Sequence, residues 1–196
     1  MKRISSAVLA SLFFCAGAAQ AQGWNNNRGE RAQNRQEARQ DKRELKDDRR
    51  DVRELEDVLA RFDAAQARRD ERAMRDVEDR LRRLVNAELA EGHQELQKDR
   101  AEIRRDNREV RRDGTWDDRK DRRDDMRDYQ NERASQSARA TIARELSGLV
   151  GQRGPRELHR TRTLITQLID LGRREVHETK QEIREDQRER REDRRR

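Results

Sequence analysis

Apolar residues recur along this chain at the intervals of an amphipathic helix. The first such stretch carries Leu45, Val52, Leu55, Leu59 and Phe62, which step by seven, three, four and three residues. This spacing places them on one helix face and along a heptad seam. Three further stretches show related spacing, at Met74, Val77, Leu81 and Leu84, at Ile142, Leu146 and Leu149, and at Leu158, Ile165, Leu168 and Ile169. The pattern predicts an all-α protein.

Three breaks separate the predicted helices. They lie at 63–72, 113–115 and 147–155. Within them, Asp63 and Asp70 are each of a type that caps a following helix, and Pro155 suits the first position of one. The breaks therefore predict an elongated fold of two tandem antiparallel hairpins with coiled-coil-like seams, formed by residues 35–113 and 114–196.

The second and fourth predicted helices share a repeat. Shifted by 80 positions, the stretch from Val85 to Asp113 matches the stretch from Ile165 to Asp193, which indicates a duplicated structural unit. The matched pairs include Gly92 with Gly172, Glu95 with Glu175 and Ile103 with Ile183. A glycine inside a helix costs about 1 kcal/mol relative to alanine. Its recurrence favours a close helix crossing or a bend, although duplication alone would also explain it.

Charge dominates the remaining positions. Charged residues make up 46% of the chain, with 49 Lys and Arg against 42 Asp and Glu. Nearly every Arg has an acid within one turn, which favours ion-paired helix faces over a dedicated anion site. Acids occupy seam positions near the hairpin ends, at Asp99, Asp106 and Asp186. Because burying an unpaired carboxylate is costly, these ends are either solvated single helices or half-seams that await a partner.

The N-terminal segment has the features of a secretory signal peptide. A basic start at Lys2 and Arg3 precedes an apolar run from Ile4 to Ala18, and a small-x-small cleavage site ends at Ala21. We therefore predict a signal peptide over residues 1–21, in preference to a buried N-terminal helix. The predicted location is the periplasm, with release outside the cell as the alternative.

The segment that follows the cleavage site lacks an apolar period. Residues 22–34 contain glycine and several asparagines, which predicts a disordered leader. Beyond Ala21 the chain contains neither a cysteine nor a second long apolar run, so we expect no membrane span there.

The sequence offers little of the chemistry that catalysis or metal binding requires. The three histidines, His93, His159 and His177, have no second histidine three or four residues away, and transition-metal sites need grouped ligands. No Gly-rich phosphate loop is present, and carboxylates on charged helix faces are expected to be solvated. We expect no enzyme, no catalytic residue, no metal site and no cofactor.

Nucleic acid is not an expected partner. The sequence pI is about 10.2, but acids interrupt the bases throughout, and aromatic residues make up only 3% of the chain. Binding to nucleic acid usually combines a basic stripe with aromatic side chains for stacking.

The overall plan resembles that of the Spy and CpxP group of periplasmic stress chaperones, which are small, exported, cysteine-free helical hairpins. The Leu-Thr-x-x-Gln motif of that group is missing, since Leu164-Ile-Thr-Gln-Leu168 has the letters in another order. The resemblance in plan implies a helical surface that holds unfolded or envelope-bound proteins loosely.

A narrow apolar stripe is the candidate partner-binding surface. The helices that would face it carry too few aliphatic residues to cover it. The stripe comprises Leu89, Leu96, Ile103 and Val110 in the first copy, and Ile169, Val176 and Ile183 in the second. One hypothesis is a chaperone-like or envelope-stress protein that holds protein clients weakly. The alternative is a structural coiled-coil spacer or a self-associating envelope protein, including a homodimer, with metal buffering a distant third.

Overall fold

Four long α-helices make up the described part of the chain, which comprises residues 26–112 and 116–193 of a computed structural model. They are α1 (Asn26–Arg68), α2 (Glu71–Arg112), α3 (Trp116–Leu149) and α4 (Pro155–Asp193). No strand occurs in these residues, which confirms the all-α prediction. The chain divides into two units, Met1–Glu37 and Ala38–Arg196. The second unit contains the features described below.

Some predictions concern residues outside this description. The signal peptide predicted at 1–21 and the break predicted at 113–115 lie there. Helix α1 begins at Asn26, so it includes the later part of the segment 22–34, for which the sequence predicts disorder. The Glu, Arg, Ala and Gln residues that follow Gly29 are good helix formers.

The junction between α1 and α2 lies within the predicted break. Arg69 has a positive φ of 55°, and the N–H of Asp70 donates to the carbonyl of Ala65 at 3.0 Å. These are features of a helix end with a left-handed residue just after the last turn. The Asp70 carboxylate then accepts the N–H groups of Arg72 and Ala73, both at 3.0 Å. Of the two predicted caps, Asp63 and Asp70, it is therefore Asp70 that caps α2.

The junction between α3 and α4 also follows local chemistry. Helix α3 ends at Leu149, and Gly151 has a φ of 77°, a conformation that glycine adopts at no steric cost. Pro155 is the first residue of α4, as predicted. The Glu157 carboxylate folds back over Gly154, where a side chain would collide with it.

One hydrophobic core joins side chains from all four helices. Its most deeply buried members are Phe62 and Val58 of α1 and Leu164 and Ile165 of α4, each at most 1% exposed. The core also includes Leu55 and Ala65 of α1, Met74, Val77, Leu81 and Val85 of α2, Ile142 and Leu146 of α3, and Leu168, Ile169 and Leu171 of α4. The finer picture of two tandem hairpins with coiled-coil seams stays a prediction.

The two described turns lie at the same end of this core. Arg153, in the turn before α4, has its Nε 3.0 Å from Glu71 and its Nη1 2.6 Å from Glu78, both near the start of α2. The N–H of Gly151 donates to Glu78 at 3.1 Å. Since Arg153 and Glu78 are each less than a quarter exposed, this contact fastens the second turn to α2.

At both repeated glycines, a side chain from another helix occupies the space that a Cβ would need. A Cβ added to Gly172 would lie 2.9 Å from Val52 of α1, and one added to Gly92 would collide with the amide of Gln136 of α3. Each glycine therefore makes room for a side chain of a neighbouring helix, and the choice between a close crossing and duplication alone stays open.

Candidate functional site

The side chains on the interior face of the four helices change from apolar to charged part-way along the helices. On α2, the buried positions Val77, Leu81 and Val85 step by four residues. The same seam continues through Glu88, Gly92, Glu95 and Asp99, at steps of three and four. The other helices change in the same direction, from Leu55 to Asp51 on α1, from Ile142 to Arg139 on α3 and from Leu168 to Glu175 on α4.

A cavity of about 620 Å³ occupies this polar section, and its walls are mainly carboxylates. We call it the acid cavity. Helix α1 contributes Glu44, Asp47, Asp48 and Asp51 to its lining. Helix α2 contributes Glu88, Glu91, Glu95 and Asp99, and α3 and α4 contribute Asp128, Glu132, Glu175 and Glu178. The basic side chains in the described lining are Lys98, Arg127 and Arg139, so twelve acids face three bases.

Arg139 is the most buried charge of the acid cavity, with a side chain 8% exposed. Its guanidinium contacts the carboxylate of Glu175 and lies 3.5 Å from that of Glu88. Arg139 Nη1 also donates to Ser135 Oγ at 3.2 Å, and this hydroxyl donates to Glu175 at 2.7 Å. One guanidinium of α3 thus links α2 to α4 and compensates two inward-facing carboxylates.

Asp48 lies opposite Thr179 of α4. The threonine hydroxyl donates to Asp48 Oδ2 at 2.9 Å. Burial raises the pKa of Asp48 to about 6, although this hydrogen bond opposes the shift. Burial outweighs the hydrogen bond because a neutral donor stabilises a carboxylate less than the surrounding water does.

Burial also strongly raises the pKa of two carboxylates on α2, Glu88 and Glu95. Burial raises the pKa of Glu88 to about 7, and the charge of Arg139 opposes this rise. Burial also raises the pKa of Glu95 to about 7, assisted by the negative charge of Glu132. For Asp48, Glu88 and Glu95, the structure therefore corrects the expectation that carboxylates on these charged helix faces are solvated.

Gln136 borders the acid cavity and is 6% exposed. Its Nε2 donates to Glu132 at 3.0 Å, whereas its Oε1 is buried and has no donor among the described residues. The amide lies against the backbone of Gly92. A side chain at Gly92 would exclude the amide, so this glycine admits a polar group to the interior.

The carboxylates of the acid cavity do not converge on one point. Within the described residues, no three His, Cys, Asp or Glu side chains are grouped closely enough to hold a metal ion. The three histidines are exposed. The described lining therefore forms an extended, negatively charged cavity. It includes one residue, Gln136, whose buried amide oxygen lacks a hydrogen-bond donor, and no metal-ligating cluster occurs among the described residues.

The predicted partner-binding stripe divides into two parts. Ile169 is 3% exposed and belongs to the core, and Leu89 packs against that core. The remaining residues are half-buried, namely Leu96, Ile103, Val110, Val176 and Ile183. We call these five the outer stripe.

The sequence of α2 contains a signal for the acid cavity, because acids continue the spacing of its buried apolar residues. Glu88, Glu95 and Asp99 continue the spacing of Val77, Leu81 and Val85, but Leu89 and Leu96 offered an apolar alternative one position away. Of these acids, only Asp99 was predicted at a seam position. It is half-buried, and burial raises its pKa. The side chains of Asp106 and Asp186 lie outside the described part of the chain.

Comparison of the chain with protein-family models, with curated proteins and with solved structures found no match. In the part of the chain that the structure describes, no helix is both long enough and apolar enough to cross a membrane.

Proposed function

We propose that this chain is an exported, non-enzymatic helical binding protein that holds unfolded or partly folded envelope proteins weakly. The two hairpins, α1 with α2 and α3 with α4, would present the binding surface at their charged ends. Export through a cleaved signal peptide and a periplasmic location are part of this proposal.

The supporting observation is the incomplete burial of the outer stripe. Ile103 and Ile183 stay half-buried, whereas the aliphatic residues of the core are at most 9% exposed. Apolar area that stays exposed forgoes about 25 cal/mol per Å² of burial. A client's apolar segment recovers part of this free energy, and the surrounding charges keep the holding weak and sensitive to salt.

The test is suppression of client aggregation by the purified protein at several-fold molar excess in low salt. We expect the wild type to suppress aggregation. The double variant Ile103→Asp with Ile183→Asp should lose most of this activity, because two carboxylates interrupt the stripe. Far-UV circular dichroism of the same samples reports whether the helices persist.

Val150→Asp is the matched control, because Val150 is 41% exposed and lies outside the outer stripe at the end of α3. It introduces one carboxylate, as each of the two stripe substitutions does, and should leave the suppression unchanged. Absence of suppression by the wild type would refute client holding. A stoichiometric homodimer that the double variant dissociates would instead support the self-associating alternative.

A further inference from the structure

Three exposed arginines near the end of α2 recur at the matching positions of α4. They are Arg104, Arg108 and Arg111 in the first copy of the repeat and Arg184, Arg188 and Arg191 in the second. Steps of four and three residues keep each set on one side of its helix. We call these two sets the arginine rows. Their recurrence means that both copies of the repeat kept a basic surface in the same place.

Neutral residues border both arginine rows. They are Ala101 and Asn107 on α2, and Gln181 and Gln187 at the matching positions of α4. Helical spacing places the acids of 100–112 on the opposite side of α2 from its row. In a chain whose acids and bases are otherwise mixed, each row is therefore a local concentration of positive charge.

Within the described part of the chain, none of the six arginines takes part in an ion pair. Arg108 Nε donates to the carbonyl of Arg104 at 3.2 Å, and this bond leaves the other N–H groups of Arg108 unused. Nearer the turn, Arg162 pairs with Asp63 at 2.9 Å. A guanidinium presents five donors in a plane that matches a carboxylate. The rows therefore offer donors that a partner's carboxylates can accept.

The arginine rows lie directly beside the outer stripe. Three members of the stripe are each followed by an arginine of a row, in the pairs Ile103–Arg104, Val110–Arg111 and Ile183–Arg184. Adjacent residues are about 100° apart around a helix, so the aliphatic and guanidinium groups border one another along the same surface. A segment that lay along the outer stripe would have its own flanking residues within reach of a row.

The placement of the two rows favours a polypeptide partner over a flat anionic membrane surface. Each row is one arginine wide and about 10 Å long, at a helix rise of about 1.5 Å per residue. Helices α2 and α4 each contact both α1 and α3, through Arg80–Glu54 and Glu88–Arg139 for α2 and through Arg162–Asp63 and Glu175–Ser135 for α4. The two helices therefore lie at opposite corners of the bundle. Because each row lies nearly opposite the interior seam of its helix, the rows point away from each other, and one flat surface cannot meet both.

We propose that the arginine rows select protein clients in which acidic residues flank an apolar segment. The apolar segment packs on the outer stripe, and the neighbouring Asp or Glu carboxylates pair with the guanidinium groups of a row. The positive charge of the row also attracts such a client before contact. This inference deepens the proposed client holding and rests on it, since it names the chemical class of client that the same surface prefers.

The test is binding of three fluorescent peptides to the purified protein, measured by fluorescence anisotropy. The peptides share one leucine-rich segment and differ only in its flanks, which carry glutamate, glutamine or lysine. In low salt we expect the glutamate peptide to bind roughly tenfold more tightly than the glutamine peptide, and the lysine peptide to bind most weakly. In 1 M sodium chloride, where the screening length is about 3 Å, the three affinities should converge.

Two fourfold variants test whether the arginine rows carry this preference. The row variant combines Arg104→Gln, Arg108→Gln, Arg184→Gln and Arg188→Gln. It should bind the glutamate and glutamine peptides equally and should retain the affinity of the wild type for the glutamine peptide. The matched control removes the same charge from exposed arginines outside the rows, by Arg72→Gln, Arg75→Gln, Arg83→Gln and Arg156→Gln. It should keep the preference for glutamate, and far-UV circular dichroism reports whether both variants stay helical.

Three results would overturn the selection of acidic clients. Equal affinity of the wild type for the glutamate and glutamine peptides in low salt would do so while leaving client holding intact. An equal loss of preference in the control variant would ascribe the effect to net charge. Binding of phosphatidylglycerol vesicles without binding of the glutamate peptide would assign the rows to a lipid surface. Suppression of client aggregation, measured on the same samples, judges client holding separately in each case.

Discussion

The two sections of the four-helix interior continue one spacing of three and four residues along α2 but differ in what they bury. Near the turns, Phe62 is 1% exposed and Ile165 is fully buried. Beyond Leu55 and Val85, the same spacing presents Asp48, Glu88 and Glu95 to the acid cavity. The helices continue through both sections without interruption. The inward-facing side chains therefore change from aliphatic to acidic within continuous helices.

This difference shows that the apolar section can hold the four helices together while the polar section of the same helices carries buried carboxylates. Burial of aliphatic side chains stabilises the association of the helices near the turns. Burial of carboxylates opposes association farther along, because each ion loses hydration that its neighbours only partly replace. The helices of the acid cavity are therefore held together chiefly by their continuity with the apolar core and by Arg139.

The largest change in the free energy of unfolding should come from a substitution in the apolar section. Phe62→Ala removes a fully buried aromatic ring and should lower the free energy of unfolding by about 3–5 kcal/mol. Urea denaturation followed by circular dichroism measures it. Ile103→Ala in the outer stripe is the comparison, and its loss should be less than half as large because Ile103 is only half-buried. Equal losses would contradict the division into two sections.

A smaller effect should follow from removing the central cation. Arg139→Met leaves Glu88 and Glu175 without their guanidinium and should lower the free energy of unfolding by about 2–3 kcal/mol at pH 8. At pH 5.5 the loss should shrink, because Glu88, whose pKa is raised to about 7 by burial, is then protonated. The same denaturation experiment at both pH values checks this, and a loss independent of pH would argue against the ion pair.

The smallest of the three effects should be an increase in the free energy of unfolding. The pKa of Glu95 is about 7 in the folded chain, against an ordinary value of 4.5. The folded state therefore binds more protons between these values, and the free energy of unfolding falls as pH rises from about 4.5 to 7. Glu95→Gln removes this loss and should stabilise the protein by about 1–2 kcal/mol at pH 8, a figure reduced for partial solvent screening.

The gain from Glu95→Gln should be much smaller at pH 5, where Glu95 is protonated in the folded chain. Glu145→Gln, on the exposed surface, should show no such dependence on pH. If Glu95→Gln destabilised the protein at pH 8, Glu95 would have a compensating cation, and the comparison of the two sections would lose its electrostatic basis.

The features that the sequence predicted best are those that depend on interactions within one helical turn. Asp70 caps α2 and Pro155 begins α4 because their backbone and side-chain preferences act within one turn. Helical periodicity was likewise sufficient for the all-α fold. The sharing of one core by all four helices was not predicted, because periodicity identifies an apolar face but not the helix that will cover it.

The acid cavity could not be predicted for a related reason. Adjacent residues such as Glu88 and Leu89 place a carboxylate and an aliphatic side chain about 100° apart around the helix. Either can face the interior, depending on where the neighbouring helices lie. Only the packing of α1, α3 and α4 decides between them, and it directs Glu88 to the cavity while Leu89 packs at the edge of the core.

The paired glycines make different contacts in the two copies of the repeat. Gly92 accommodates the flexible end of a glutamine, whereas Gly172 accommodates the branched side chain of Val52. An added methyl group could displace the mobile amide, but Val52 has few alternative rotamers within a helix. Mutational drift should therefore be more restricted at Gly172 than at Gly92.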